Sequence, residues 1–384
     1  MIYALAACFG ALLLFFVQPL LGKAMAPRFG GGVHVWMVCL LYFQAMLLVG
    51  YGYAHLLVRH VKPRLQPLVH SGLLALTALQ LLLPWALGGS LPLLASAGTD
   101  LRPLAILGFL LKGSGLALLA LGSTAPLIQA WFARANPGRS PYRLYAASNI
   151  GSMAGLFLFP FAAEPLFRTS TLLKGFGFAF LGFAVVLVLI GRKGAAADAS
   201  GTAENQEPSA PAAPVGWGRI ALWLLASCSG VMLLMTGTQA VTLELAALPL
   251  LWVIPLALYL ATFILVFDSR WPLERWLRPG WALLLAAACL VLGRSFAERF
   301  APWPMIAAFN GMVFFGCLGI HGYLHALRPD PAHLTRYYFY MALGGMIGGL
   351  VVGLVAPVLY PRPYEMGVAL ALAGFLGFLW IRSH

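Results

Sequence analysis

Charge is what this 384-residue chain has least of. Only 9% of its residues are Asp, Glu, Lys or Arg, against about 25% in an ordinary soluble domain. So few charges cannot cover a water-facing surface, which excludes the soluble globular class. Carboxylates are scarcer still, with 11 Asp and Glu against 24 Lys and Arg and a net charge of +13. Cysteine is sparse: Cys8, Cys39, Cys228, Cys289 and Cys317 stand apart on apolar stretches with no CxxC pair. Neither a disulfide framework nor a zinc site is expected. No nucleophile and base stand at a recognisable spacing. RFGGG at 28–32 is a turn that follows no strand, so it is not a dinucleotide fingerprint. Catalysis, a resident metal and a cofactor are therefore not expected. Nucleic acid is not an expected partner either, because the cations lie in short turns and not in a patch with interleaved aromatics. Anionic lipid headgroups account for them more simply.

Long hydrophobic runs dominate instead. A hydrocarbon core about 30 Å thick needs about 20 apolar residues per helix. Candidate spans are 2–21, 35–57, 67–87, 104–126, 144–163 and 171–191, then 217–235, 245–267, 279–292, 304–324, 337–359 and 366–381. Backbone polar groups in lipid must be satisfied internally, so each is expected to be a helix. The predicted class is all-α integral membrane with about 12 transmembrane helices. The ninth span is the shortest. The first does not read as an obvious cleaved signal, because it lacks a basic leader and Gln18-Pro19 interrupts its end. With the N-terminus inside, 15 cations flank the cytoplasmic loops and 8 flank the outer ones, leaving Lys112 within the fourth span. That asymmetry predicts both termini on the cytoplasmic side.

Residues 192–216 are rich in Ala, Gly, Ser, Pro and Glu and offer no apolar face. They are expected to be a disordered cytoplasmic linker between an N-terminal half, 1–191, and a C-terminal half, 217–384. The halves look related. Tyr145-x5-Gly151-x3-Gly155 lies on the fifth span and Tyr338-x5-Gly344-x3-Gly348 on the eleventh. A basic, Pro-containing turn precedes each. Equal orientation implies a 6+6 parallel repeat, major-facilitator-like, with its axis along the membrane normal. Small residues four apart let helix backbones approach closely.

A few polar residues interrupt the apolar spans, and in a membrane such groups suggest function. Lys112 lies about 12 Å into its span at 1.5 Å per residue, and either snorkels to headgroups or faces a cavity. Glu244 is expected to begin the eighth span, where the helix dipole favours a carboxylate, or to face the cavity with Gln239 and exchange protons, Lys112 being its candidate partner. Gln18, beside Pro19, and Asn149, beside Ser148, are further candidate solute contacts. Glu164-Pro165 closes the fifth span as a cap or loop contact. His321 and His325 share a helix face but lack a third metal ligand, and His55 is a similar lone histidine.

Several strings carry a resemblance: FVQPLLGKAMAPRFGG (16–31), GYGYAH (50–55), GSTAPLIQAWFA (122–133), LYAASNIGS (144–152), LELAALPLLWVIPLALYLATFIL (243–265) and HLTRYYFYMALGGMIGG (333–349). Together they resemble the membrane half of bacterial fused major-facilitator/spermidine-synthase-like proteins. The resemblance implies a transporter-like bundle, an acidic residue at Glu244, and a polyamine or related amine as solute. The 384 residues hold no stretch matching the aminopropyltransferase-like domain, so spermidine-synthase catalysis is not expected within them. The chain also carries Tyr323 and Arg336 where the family often has acids, which speaks against a polycation. Two functions are expected in order: a secondary-transporter-like protein for a small solute, with Gln18, Asn149, Gln239, Glu244 and Lys112 as contacts; or a non-transporting membrane subunit anchoring a separate soluble enzyme or a larger membrane complex.

Overall fold

The computed structural model describes residues 1–30, 33–87, 103–199, 214–245, 253–268, 302–359 and 365–382, together with Trp281, Ala286, Leu290 and Gly293. Among these residues all regular structure is helical. The helices are α1 (Ile2–Phe29), α2 (Val33–His60), α3 (Gln66–Ala86), α4 (Pro103–Ala135), α5 (Arg143–Leu158), α6 (Thr169–Ala199), α7 (Trp217–Leu245), α8 (Val253–Phe267), α9 (Pro302–Ala326), α10 (Leu334–Leu350) and α11 (Glu365–Arg382). Ten helices among the described residues are long and apolar enough to cross a membrane, and α8 is a shorter apolar helix. The expected ninth span, 279–292, falls almost wholly outside the described residues.

Two compact units emerge: Met1–Pro214 with Asp330–Phe339, and Val215–Pro329 with Tyr340–His384. In the first unit, α1 and α5 run parallel and nearly touch. A Cβ on Gly151 would overlap the Cys8 carbonyl, and one on Gly155 the Leu12 carbonyl. Phe16 and Phe159 meet edge-on at 5.5 Å further along the same seam. In the second unit, a Cβ on Gly344 would crowd the Leu224 carbonyl and one on Gly348 the Cys228 carbonyl. The repeated glycines thus do the same job in both units, letting backbones approach where side chains would hold them apart. One turn beyond each pair the helix widens, at Phe159–Ala163 and at Val351–Val355. The first of these accommodates Pro160, which cannot donate an ordinary helical bond.

A second parallel pairing also recurs. In the first unit α2 lies on α4: Gly50 faces the Gly122–Ser123 backbone, and Tyr42 Oη is 3.1 Å from both Leu110 O and Ser114 Oγ. In the second unit α8 lies on α9 through Thr262 and His321. The α2–α3 turn is tied to α4 by buried Gln66. Its Nε2 donates to Val61 O at 2.8 Å, and its Oε1 accepts from Arg134 Nη2 at 2.7 Å and Trp131 Nε1 at 3.2 Å. Large apolar side chains such as Leu79, Phe178, Val185 and Phe375 are exposed, as a lipid-facing surface requires.

Three boundaries depart from expectation. α1 passes through Pro19 without interruption and ends at Phe29. α6 continues to Ala199, so residues 192–199, placed in the linker from composition, are helical; 200–213 lie outside the described residues. α7 runs on to Leu245, ten residues past its apolar run. Thr236 and Thr238 donate back to the Met232 and Leu234 carbonyls at 2.8 and 2.7 Å, which lets polar residues stay in a helix inside a membrane.

Candidate functional site

At the end of the first unit that carries the N-terminus, α2, α4 and α5 present polar and aromatic side chains to residues 335–339. Tyr338, 1% exposed, donates its hydroxyl to Gln129 Oε1 at 2.8 Å. Tyr145 stacks on Tyr338 with ring centroids 5.0 Å apart and planes 25° from parallel. Tyr51 meets Tyr338 edge-on at 6.3 Å, and Tyr142 meets Tyr337 at 6.4 Å. His55 Nδ1 lies 3.0 Å from Thr335 Oγ1, and its ring stacks over Phe339. Gly52 leaves the room that Phe339 fills. The Gln129 Nε2 group is buried and makes no hydrogen bond.

The hydrogen bonds named above join neutral hydroxyls, an amide and an imidazole, the ring contacts are aromatic, and the cations Arg59 and Arg336 lie near enough to act on His55. Tyr145 and Tyr338 are the repeated tyrosines of the sequence, and here they lie face to face. Gln129 and Tyr51 were not singled out from the sequence. The available signal was a lone amide inside the apolar run APLIQAWF.

Within the first unit, Gln18, Asn149 and Lys112 lie apart along their helices. Gln18 is partly buried on α1 and Asn149 is buried on α5. The α1–α5 register puts Asn149 level with Ala6, about 18 Å below Gln18 at 1.5 Å per residue. Asn149 Nδ2 donates to Tyr145 O at 2.8 Å, within its own helix. The Lys112 side chain is exposed on α4, and its carbonyl accepts from Gln80 at 2.6 Å. Gln239 is partly buried on α7. Glu244 is the penultimate residue of α7, not the start of the next helix as expected; its side chain lies outside the described set. A carboxylate there gains nothing from the helix dipole, whose negative end it approaches.

Glu164 pairs with Lys23 at 3.2 Å, joining the far ends of α5 and α1. No group of three potential metal ligands occurs among the described residues, and His321 and His325 have different partners. His321 Nδ1 meets Thr262 Oγ1 at 2.8 Å, while His325 Nδ1 lies 3.0 Å from Arg328 Nη1.

No protein-family model and no curated protein matches the sequence. Solved structures do match. The proton:xylose symporter XylE bound to 6-bromo-6-deoxy-D-glucose aligns over 99% of this chain and 94% of its own, with a TM-score of 0.63 and 12% identity. A bacterial homologue of the iron transporter ferroportin, in its outward-facing state, aligns over 99% and 98% with a TM-score of 0.61 and 15% identity. The human organic anion transporter MFSD10 aligns over 99% and 96% with a TM-score of 0.54 and 16% identity. Identities this low speak to architecture alone, and the architecture they share with this chain is the major facilitator fold.

Proposed function

We propose that the chain is a secondary transporter carrying a small solute across a bacterial inner membrane, with both termini and residues 192–216 on the cytoplasmic side. The observation that carries this reading is the full-length likeness in fold to a proton:xylose symporter, a bacterial homologue of an iron transporter and an organic anion transporter. The 15 to 8 distribution of cations supports the orientation. Release and recapture of Asp330–Phe339 by the tyrosine cluster is the movable element in this reading. Gln18 and Gln239 are the proposed polar contacts of the solute, with Asn149, Lys112 and Glu244 as further contacts at other levels. The polyamine class rests on the sequence resemblance alone. With 11 acids against 24 bases, and Glu164 already paired with Lys23, the charge inventory favours an uncharged or anionic solute.

The test needs no knowledge of the solute. In a cysteine-free background, Gln18→Cys and Gln239→Cys are placed in oriented vesicles and treated with a membrane-impermeant maleimide. Transport by alternating access requires each position to react from at least one side. If neither reacts from either side, no aqueous path reaches the proposed contacts and the reading fails. A reporter inserted at Glu207 that is active only outside the cytoplasm would overturn the orientation.

A further inference from the structure

His321 is fully buried in the second unit, at 0% exposure. Thr262 Oγ1 lies 2.6 Å from the Tyr259 carbonyl and 2.8 Å from His321 Nδ1. We assign its single proton to the shorter contact, with the carbonyl, so that the oxygen accepts from Nδ1 and Nδ1 carries the imidazole proton. Nε2 is then a bare lone pair, buried and without a partner. It faces Gly230 of α7. A Cβ there would sit 3.5 Å from Nε2, 3.7 Å from Ile320 Cγ2 and 3.8 Å from Tyr259 Cε2. The space is a notch the size of one methyl group, closed by the glycine backbone.

The ring is held firmly. Phe263 stacks on it with centroids 3.5 Å apart, and Tyr259 meets it edge-on at 4.8 Å. The titratable groups around it are Tyr259 from α8, and Cys317 and His325 one turn away on either side of its own helix. Cys317 Sγ is 3.6 Å from the Gly230 carbonyl, which occupies the nearest acceptor. Gly230 is the α7 residue that meets Nε2, and among the described residues no charged side chain is hydrogen-bonded to the imidazole. A second proton, placed on Nε2, would therefore point at the Gly230 backbone with nothing to receive it. The docked arrangement of α7 on α8 and α9 has room for it but offers it no hydrogen-bond acceptor.

We propose that His321 Nε2 is a proton-binding site whose occupancy is exclusive with docking of α7 at Gly230, making it a coupling-ion site for the transporter proposed above. The inference rests on that reading and adds the ion and its residue. The step is simple: hydronium gives a proton to the Nε2 lone pair, leaving water and an imidazolium, and the new N–H is satisfied by water once α7 moves off the notch. Glu244, the carboxylate expected from sequence to carry protons, is not required.

The test reads the proton directly in the purified full chain. Nitrogen-15 imidazole spectra are recorded between about pH 8 and about pH 5, the range in which histidine ordinarily changes charge. The His321 signal is assigned by its loss in His321→Asn, whose amide can still donate to Thr262. Hydrogen exchange of residues 226–234, corrected for intrinsic rates, is measured alongside it. The expected result is conversion of the Nδ1–H form to imidazolium on acidification, with exchange on α7 rising by about tenfold or more as local opening becomes populated. His321→Asn should show no such rise, and Gly230→Ala, which fills the notch, should suppress both changes while remaining folded. A His321 signal that stays neutral throughout overturns the proposal, as does an acid response that survives in His321→Asn. Neither outcome depends on finding a solute, so failure of the transporter reading in the cysteine experiment remains separate.

Discussion

In the first unit Gly151 and Gly155 of α5 lie against Cys8 and Leu12 of α1; in the second, Gly344 and Gly348 of α10 lie against Leu224 and Cys228 of α7. One offset of 216 residues takes position 8 to 224 and 12 to 228. Carried further along the helices, it takes Lys23 to Gln239 and Arg28 to Glu244. The backbone contact is kept while the charges are not. Steric exclusion at a helix crossing leaves little choice, since any side chain on the glycine would overlap a carbonyl. Polar groups further along the same helices are free to differ, and one unit holds a cation where the other holds an amide or an acid. The difference between the two seams lies at such positions.

The comparison breaks most completely at the glycines. Gly151→Val and Gly344→Val should each force the helices apart, with a loss of about 3 kcal/mol, at the upper end for overpacked sites. The measurement is thermal unfolding in detergent together with folded yield. Equal losses in the two units would support one joint built twice. Gly230→Ala is the internal control. Its added methyl meets only ordinary contacts and should leave stability unchanged or raise it, because alanine is the better helix former.

These glycines also mark how far the sequence could be read. Gly151-x3-Gly155 and Gly344-x3-Gly348 were visible because steric need writes itself as a spaced pattern. The helices were visible because twenty apolar residues in a row have few other fates in lipid. Helix ends were not, since hydropathy falls before the helix does; Thr236 and Thr238 satisfy their own hydroxyls and carry α7 past Met235. The tyrosine cluster was half legible. Tyr145 and Tyr338 stood out as repeats, yet nothing in their spacing said they would stack on one another, and Gln129 carries no local pattern at all. Contacts between residues two hundred positions apart belong to tertiary structure.

Within the cluster the two repeated tyrosines should respond unequally. Tyr338→Phe removes the donor to Gln129 and leaves the amide buried with neither end satisfied, at a loss of about 1–3 kcal/mol. Tyr145→Phe keeps the stacked ring and should have a smaller effect. Thermal unfolding of the two variants, each also made with Gln129→Leu, checks this. Replacing the amide should recover most of the loss in Tyr338→Phe and little in Tyr145→Phe. If Tyr145→Phe proves the more damaging change, the Tyr338–Gln129 bond is not what secures Asp330–Phe339.

The smallest effect is expected at the ion pair. Lys23 and Glu164 are 3.2 Å apart with side chains 33% and 42% exposed, and partly exposed pairs contribute less than about 1 kcal/mol. The second unit lacks this pair: Gln239 stands in Lys23's place, and Glu164 falls opposite Ala356–Pro357, with no carboxylate. Lys23→Gln therefore gives the first unit what the second already has. A double-mutant cycle with Glu164→Gln should return a coupling within that limit, and unfolding of either single variant should shift only slightly. A coupling several times larger would mean that the pair, and not the glycine seam alone, holds α1 to α5. The two units would then be joined by different means despite their common register, and the charge difference between Lys23 and Gln239 would belong to stability before it belonged to recognition.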